Sequence, residues 1–255
     1  MHHETIVSEF TGQAASFNAS AAANDRATLD ALVRLAAPHA GERWLETACG
    51  SGVISRVLAP HVRAVHGIDM TPTMVDLACA EATSAGLGSV DFAVGDATAT
   101  GVPDGAFDGA ITRFSIHHIP LPIRVVDELA RAVRRGGTVV VADHLGDDDA
   151  AALGWSQEIE RLRDPSHWAS LPVAGLRGLG ERAGLVFDAE EIVPLEIDFD
   201  DWLARGSTGA ENGPLIERAL QAPPAAATCF AVDARDGGRV LRLQLWMSRW
   251  RRPAA

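Results

Sequence analysis

The sequence predicts an α/β fold: a Rossmann-like, doubly wound, mostly parallel seven-stranded sheet with helices on both faces, N-terminal helices before it and a helical insertion after strand five. Three observations predict it. Strand-like and helix-like segments alternate from residue 43 to residue 142. The strand-like segments are short and continuously apolar, as strands are when both faces are covered. A small-residue loop, Ala48-Cys49-Gly50-Ser51-Gly52, joins the first strand to the helix after it.

Phe10, Ala14, Phe17 and Ala21 recur near helical spacing, and Leu29, Leu32, Val33, Leu35 and Ala36 mark a second amphipathic helix that ends at Pro38. Arg43–Glu46 reads as the first strand, and apolar periodicity resumes from Val53 to Leu58. Val62–Ile68 is a second strand ending at Asp69. Thr71-Pro72 reads as an N-cap followed by proline at the first helical position, with Gly86 closing that helix. Val90–Val94 is the third strand, ending at Asp96, and Phe107–Thr112 the fourth. A helix over Ile123–Val133 leads through Arg135-Gly136-Gly137 to a fifth strand, Thr138–Ala142. Residues 145–183 read as helical, Leu185–Ile197 as extended and 200–222 as helical or irregular. After the turn Asp236-Gly237-Gly238, Val240–Trp250 is strand-like. One domain over 1–255 is expected: N-terminal helices over 1–40, a ligand-binding core over 41–145, a helical insertion with the sixth strand over 146–230 and a C-terminal strand over 231–255.

Composition narrows the chemistry. All 22 basic residues are Arg, and there is neither Lys nor Tyr. No P-loop lysine or Schiff base is available, and proton chemistry falls to His, Asp, Glu, Cys or solvent. A formal charge of −12 disfavours nucleic acid as a partner. The run Arg239, Arg242, Arg249, Arg251 and Arg252 reads as a solvated strand face. Cys49, Cys79 and Cys229 have no metal-ligand spacing, so no metal and no disulfide framework are expected. Met-His-His-Glu lacks the basic and apolar regions of a signal peptide, and no apolar run reaches about 18 residues. A cytoplasmic monomer or homodimer acting on a small molecule, with no membrane partner, is the expectation.

In an open α/β sheet, ligands bind beyond the carboxyl ends of the strands. Each of the first three strands delivers an acid there: Glu46, Asp69 and Asp96. Asp69 stands where a carboxylate accepts from a ribose diol. A dinucleotide would want a third glycine where Ser55 stands, and a carboxylate at position 46 is unhelpful beside a pyrophosphate. S-adenosylmethionine fits better, because it carries an ammonium and a sulfonium but no phosphate.

Trp44-Leu45-Glu46-Thr47-Ala48-Cys49-Gly50-Ser51-Gly52 resembles motif I of the class I S-adenosylmethionine-dependent methyltransferases, with Glu for the frequent Asp and Ala for the first Gly. His66–Thr71 is similar to their ribose segment, Val94–Ala97 to their adenine segment, and Phe107–His118 to motif IV of the branch that contains the ubiquinone and menaquinone biosynthesis enzymes. Leu129–Gly137 resembles that branch's lead into strand five. The resemblance implies S-adenosyl-L-methionine as cofactor and S-adenosyl-L-homocysteine as product. It implies that Glu46 and the backbone of Ala48, Cys49, Gly50 and Gly52 face the methionine part. Asp69 then takes the ribose hydroxyls, Met70 packs on adenine, and Asp96 and the Ala97 amide meet its edge. Arg113 and His118 lie beside the methionine end, and Phe10, Gln13 and Phe17 belong to a lid helix, with ordinary core packing as the alternative for Met70, Phe10 and Phe17.

Methyl transfer from a sulfonium needs alignment, exclusion of water and, for some acceptors, a base. His118, His117, His144 and His167 are the catalytic candidates, each with a structural or surface role as its alternative. Arg161, Arg163 and Asp164 read as a solvated helix face. Trp155, Trp168 and Trp202 in the insertion suggest an acceptor with an apolar body, although core packing is the simpler explanation for them. Three readings compete: a small-molecule methyltransferase, an S-adenosylmethionine-binding cyclase or other non-methylating protein on the same fold, and an NAD(P)-dependent dehydrogenase.

Overall fold

The computed structural model describes residues 2–235 and 237–254; Asp236 of the predicted turn lies outside them. Three helices come first: α1 (His2–Ala19), the short α2 (Ala21–Asn24) and α3 (Arg26–Ala36). Asp25 starts α3, its carboxylate accepting from the Thr28 amide at 3.0 Å. The core then alternates β1 (Arg43–Thr47), α4 (Val53–Leu58), β2 (Ala64–Asp69), α5 (Pro72–Ser84), β3 (Val90–Val94), β4 (Phe107–Arg113), α6 (Ile123–Ala132) and β5 (Val133–His144). Beyond it run α7 (Ala150–Arg163), α8 (Val173–Arg182), β6 (Val186–Asp198), α9 (Phe199–Arg205), α10 (Gly209–Leu220), β7 (Phe230–Arg235) and β8 (Gly238–Arg251).

The strands hydrogen-bond in the order β3-β2-β1-β4-β5-β8-β6, the first five parallel and β8 antiparallel to both its neighbours. This is the expected seven-stranded sheet, and order reverses between β1 and β4, where ligands bind in such folds. An eighth strand goes beyond the expectation: β7 pairs with the first half of β8, while the second half of β8 lies against β5. Thr71 differs in detail. It precedes Pro72 as expected, but its hydroxyl makes no cap bond.

Both faces of the sheet are covered. Leu29, Leu32 and Leu35 of α3 pack with Ile54 and Leu58 of α4 on one side, while Val125, Val126 and Leu129 of α6 pack with Leu176 and Leu179 of α8 on the other. This burial explains why Trp44 and Leu45 are adjacent yet both wholly buried. The insertion makes a third cluster, in which Ile159, Trp202 and Ile216 meet Leu195, Phe230 and Leu241. The C-terminal arginines are paired rather than free: Arg239 with Asp200 and Glu217, Arg242 with Asp233, and Arg249 and Arg251 with Asp188. Among the described residues no helix is long and apolar enough to cross a membrane.

Candidate functional site

Backbone conformation shapes the loop after β1. Ala48, Gly50 and Gly52 all have positive φ, at 51°, 51° and 73°. The alternation folds the loop back, so that the Cys49 amide donates to Ile68 O at 3.0 Å and the Gly50 amide to Asp69 Oδ2 at 2.8 Å. Asp69 Oδ1 accepts from the Thr71 amide at 2.8 Å. The ends of β1 and β2 are thereby locked together by one carboxylate. Burial pushes the Asp69 carboxyl above its ordinary range, against those two amide bonds.

Glu46 is 3% exposed, and its Oε2 accepts from the Ser55 amide at 2.7 Å and the Ser55 hydroxyl at 2.5 Å. The amide belongs to the first turn of α4, the place a pyrophosphate would occupy in a dinucleotide site. A carboxylate fills it here, which argues electrostatically against that ligand. Burial raises the Glu46 carboxyl to about 7, opposed by the Ser55 hydroxyl and by the charge of Arg113. Arg113 is 8% exposed and donates Nη2 to Ala23 O at 2.8 Å, while its buried Nη1 has no hydrogen-bond partner. Burial lowers it to about 10, so it stays cationic at neutral pH. Opposite charges at one end of the site, with a guanidinium N–H unused, fit the zwitterionic amino-acid part of S-adenosylmethionine.

These residues surround one cleft of ≈ 910 Å³, open to solvent. It brings together Phe17, Glu46, Ala48, Cys49, Gly50, Asp69, Met70, Asp96, Ala97, Arg113 and His118, with Phe10 from α1 also in the wall. Gly52 is not in the wall. A Cβ there would lie 2.6 Å from the Phe92 ring, so this glycine sets how closely the loop packs on β3. Asp96 commits Oδ1 to the amide and hydroxyl of Thr98, at 2.7 and 2.8 Å, while its Oδ2 faces His3 Nδ1 at 3.9 Å and makes no hydrogen bond among the described residues. Cys49 is buried and its thiol is pushed well above the ordinary range by burial, so it is no nucleophile.

A second cavity of ≈ 590 Å³ shares Phe10, Phe17, Phe114 and His118 with the cleft. All four candidate histidines meet there, His117 with His118 at 4.2 Å between ring centroids and with His144 at 4.8 Å. His117 Nδ1 pairs with Asp143 Oδ1. His118 Nδ1 meets the Ser166 carbonyl at 3.1 Å, and His167 Nε2 meets Gln157 Oε1 at 2.5 Å. Burial, with His117 nearby, lowers His144 to about 3 and moves His118 and His167 in the same direction.

Two expectations are corrected by this cavity. Arg163 and Asp164 are not a solvated face: both are buried in its wall, paired with each other at 3.2 Å, beside a buried Glu160. Only Arg161 of that run is exposed. The tryptophans do not line an apolar pocket together either. Trp202 alone is in the wall, Trp155 packs against Phe230 and donates to Ala219 O at 2.9 Å, and Trp168 is 47% exposed. Phe114, which the sequence does not single out, stands between the two cavities with φ of 54°, its ring 4.5 Å from the Arg113 guanidinium. A phenylalanine in that region is strained, and such strain clusters at functional sites.

Residues 45–141 match a family described as methyltransferase domain. The uncharacterized methyltransferase YcgJ of Bacillus subtilis is 27% identical over 212 residues, 83% of this chain and 84% of YcgJ. Its crystal structure superposes with a TM-score of 0.82 at 25% identity, covering 89% of this chain and 99% of that one. The demethylmenaquinone methyltransferase of Clavibacter sepedonicus is 32% identical over 47% of this chain, which spans about half, 48%, of that relative. Phosphoethanolamine N-methyltransferase 2 of Haemonchus contortus, solved with S-adenosyl-L-methionine, shares the fold at a TM-score of 0.62 and 16% identity, over 89% of this chain and 53% of that one.

Proposed function

The chain carries a methyltransferase domain of the class I S-adenosylmethionine-dependent kind and resembles the quinone methyltransferases, and from that premise we propose that it methylates a small organic acceptor held in the second cavity. The observation that carries this reading is the shared wall: Phe10, Phe17, Phe114 and His118 belong to both cavities, so donor and acceptor spaces adjoin. S-adenosylmethionine supplies an activated methyl group on a positively charged sulfur. Glu46 and Arg113 hold its amino-acid end, Asp69 its ribose, and Asp96, Ala97 and Met70 its adenine. Phe10 and Phe17 of α1 exclude water as a lid. With the substrates aligned, orientation supplies on the order of 7–11 kcal/mol of the barrier reduction.

The acceptor is amphipathic in this reading. Phe10, Phe114, Ile197 and Trp202 offer an apolar side, and His117, His144, Glu160 and Arg163 a polar one. A biosynthetic intermediate with an apolar body and one polar group fits, as does the one-domain plan of a lid over 1–40, a core over 41–145 and an acceptor cap over 146–230. Calorimetry with S-adenosylmethionine and S-adenosylhomocysteine tests the cofactor site. Incubation with candidate acceptors, read as a one-methyl mass gain, tests the reaction. Cofactor binding without methyl transfer to any acceptor would favour the cyclase or non-methylating alternative.

A further inference from the structure

Of the four histidines around the second cavity, His117 alone is held by a carboxylate. Asp143, wholly buried at the end of β5, accepts from the His117 ring through Oδ1, from the His117 amide through Oδ2 at 3.1 Å and from the His144 amide through Oδ1 at 2.7 Å. Three donors on one buried carboxylate keep it ionised and fix the imidazole in place. The proton on Nδ1 belongs to this bond, so the lone pair of His117 is on Nε2. Nε2 has no hydrogen-bond partner among the described residues, and the ring lies in the cavity wall.

We propose that His117 is the base that takes a proton from the acceptor, that Asp143 is its positioning residue, and that the acceptor is a phenol or enol whose O–H must ionise before it can be methylated. The inference rests on the methyltransferase reading above. In the step, the acceptor's O–H bond breaks, its electron pair stays on oxygen, and the proton bonds to Nε2. The resulting imidazolium is balanced by Asp143. A neutral amine acceptor would need no such group before attack.

The surroundings favour His117 over its neighbours. Asp143 from β5, with Glu160 of α7 and Asp164 just after it, outweighs the burial that opposes protonation and raises His117 above its ordinary range. His118, His144 and His167 are lowered and do not compete for the proton, while Arg163 is paired with Asp164. Ligand atoms of His117, Asp143 and His144 lie within 4.8 Å of one another, so a divalent cation is the competing occupant.

The probe is 4-nitrophenol, titrated into the full chain saturated with S-adenosylhomocysteine and read by phenolate absorbance. The bound probe is expected to be about tenfold more ionised than free probe at the same pH, equivalent to one pKa unit. His117→Gln is expected to abolish that excess while keeping its affinity for S-adenosylhomocysteine, which also reports that it has folded. Asp143→Asn is expected to reduce the excess, and the wild-type measurement stands even if this buried variant misfolds. A bound probe no more ionised than in water, no binding at millimolar probe, excess ionisation retained in His117→Gln, or ionisation abolished by EDTA each overturns the proposal. Failure of S-adenosylhomocysteine to bind overturns the cofactor reading and this proposal together. Binding of S-adenosylhomocysteine with an un-ionised probe overturns this proposal alone.

Discussion

The Gly50 amide donates to Asp69 Oδ2 at 2.8 Å, so the carboxylate that ends β2 also holds the loop that ends β1. Asp69→Ala therefore removes a loop anchor and, on the proposed assignment, a ribose contact at once. Hydrogen bonds to charged groups contribute about 1.5–3 kcal/mol, which corresponds to a roughly tenfold to hundredfold loss of S-adenosylmethionine affinity. Asp69→Asn keeps one acceptor oxygen and should lose less. Calorimetry on both variants checks this, and unchanged affinity in Asp69→Ala would mean that the ribose lies elsewhere.

Cofactor binding is expected to be pH-dependent through Glu46. Its carboxyl is raised to about 7 by burial, so the free protein is part-protonated there at neutral pH. In the proposed arrangement the ammonium of S-adenosylmethionine stabilises the ionised form, so binding is expected to expel the proton. Affinity should rise as pH increases through about 7, by up to about tenfold per unit on the acid side for one linked proton. Titrations in two buffers of different ionisation enthalpy should reveal net proton release near pH 7. Glu46→Gln should bind more weakly and without that release.

The fold and the gathering of the strand-end acids in one cleft are legible in the sequence because their signals are local. A short apolar strand followed by an acid is readable within about ten residues, and Glu46, Asp69 and Asp96 all reach the cleft. The second cavity is not legible, because its burial depends on contacts distant in sequence. Arg163 and Asp164 look solvated on a helix until Gln13, 151 residues before Asp164, closes over them with Nε2 3.2 Å from Asp164 Oδ2. The eighth strand escapes for a related reason: Phe230–Arg235 is ordered by pairing with β8 across the turn. Phe114 carries no signal beyond its place after Arg113, since positive φ at a non-glycine residue leaves no mark in a sequence.

Two glycines should respond oppositely to alanine. A Cβ on Gly109 would lie 2.3 Å from the ring of Trp44, which is wholly buried and donates Nε1 to Glu42 at 2.9 Å. The ring has little room to give, so Gly109→Ala should destabilise by about 1–3 kcal/mol. Gly154 lies inside α7 and is exposed, and a methyl group added to it would meet nothing within 4 Å. Gly154→Ala should stabilise by about 0.5–1 kcal/mol. Urea unfolding midpoints should move down for the first and up for the second; a common direction would contradict the packing described for β4.

Gln13 ties α1 to the wall of the second cavity. It is 5% exposed, and its amide donates to Asp164 at 3.2 Å and to Glu9 at 3.4 Å. Asp164 keeps Arg163 and Ser166 as partners when Gln13 is removed, and the Glu9 bond lies within α1, so the tie lost between α1 and the cavity wall is one hydrogen bond to a charged group, about 1.5–3 kcal/mol. Other ties remain, including His2 to the His118 carbonyl at 2.8 Å and Ser207 to Glu9 at 2.6 Å. Gln13→Ala should therefore open α1 locally without unfolding the sheet. Hydrogen exchange should quicken in α1 but not in β1 or β4, and S-adenosylmethionine should dissociate faster. Exchange quickened equally in the sheet would show that α1 is part of the global fold rather than a lid.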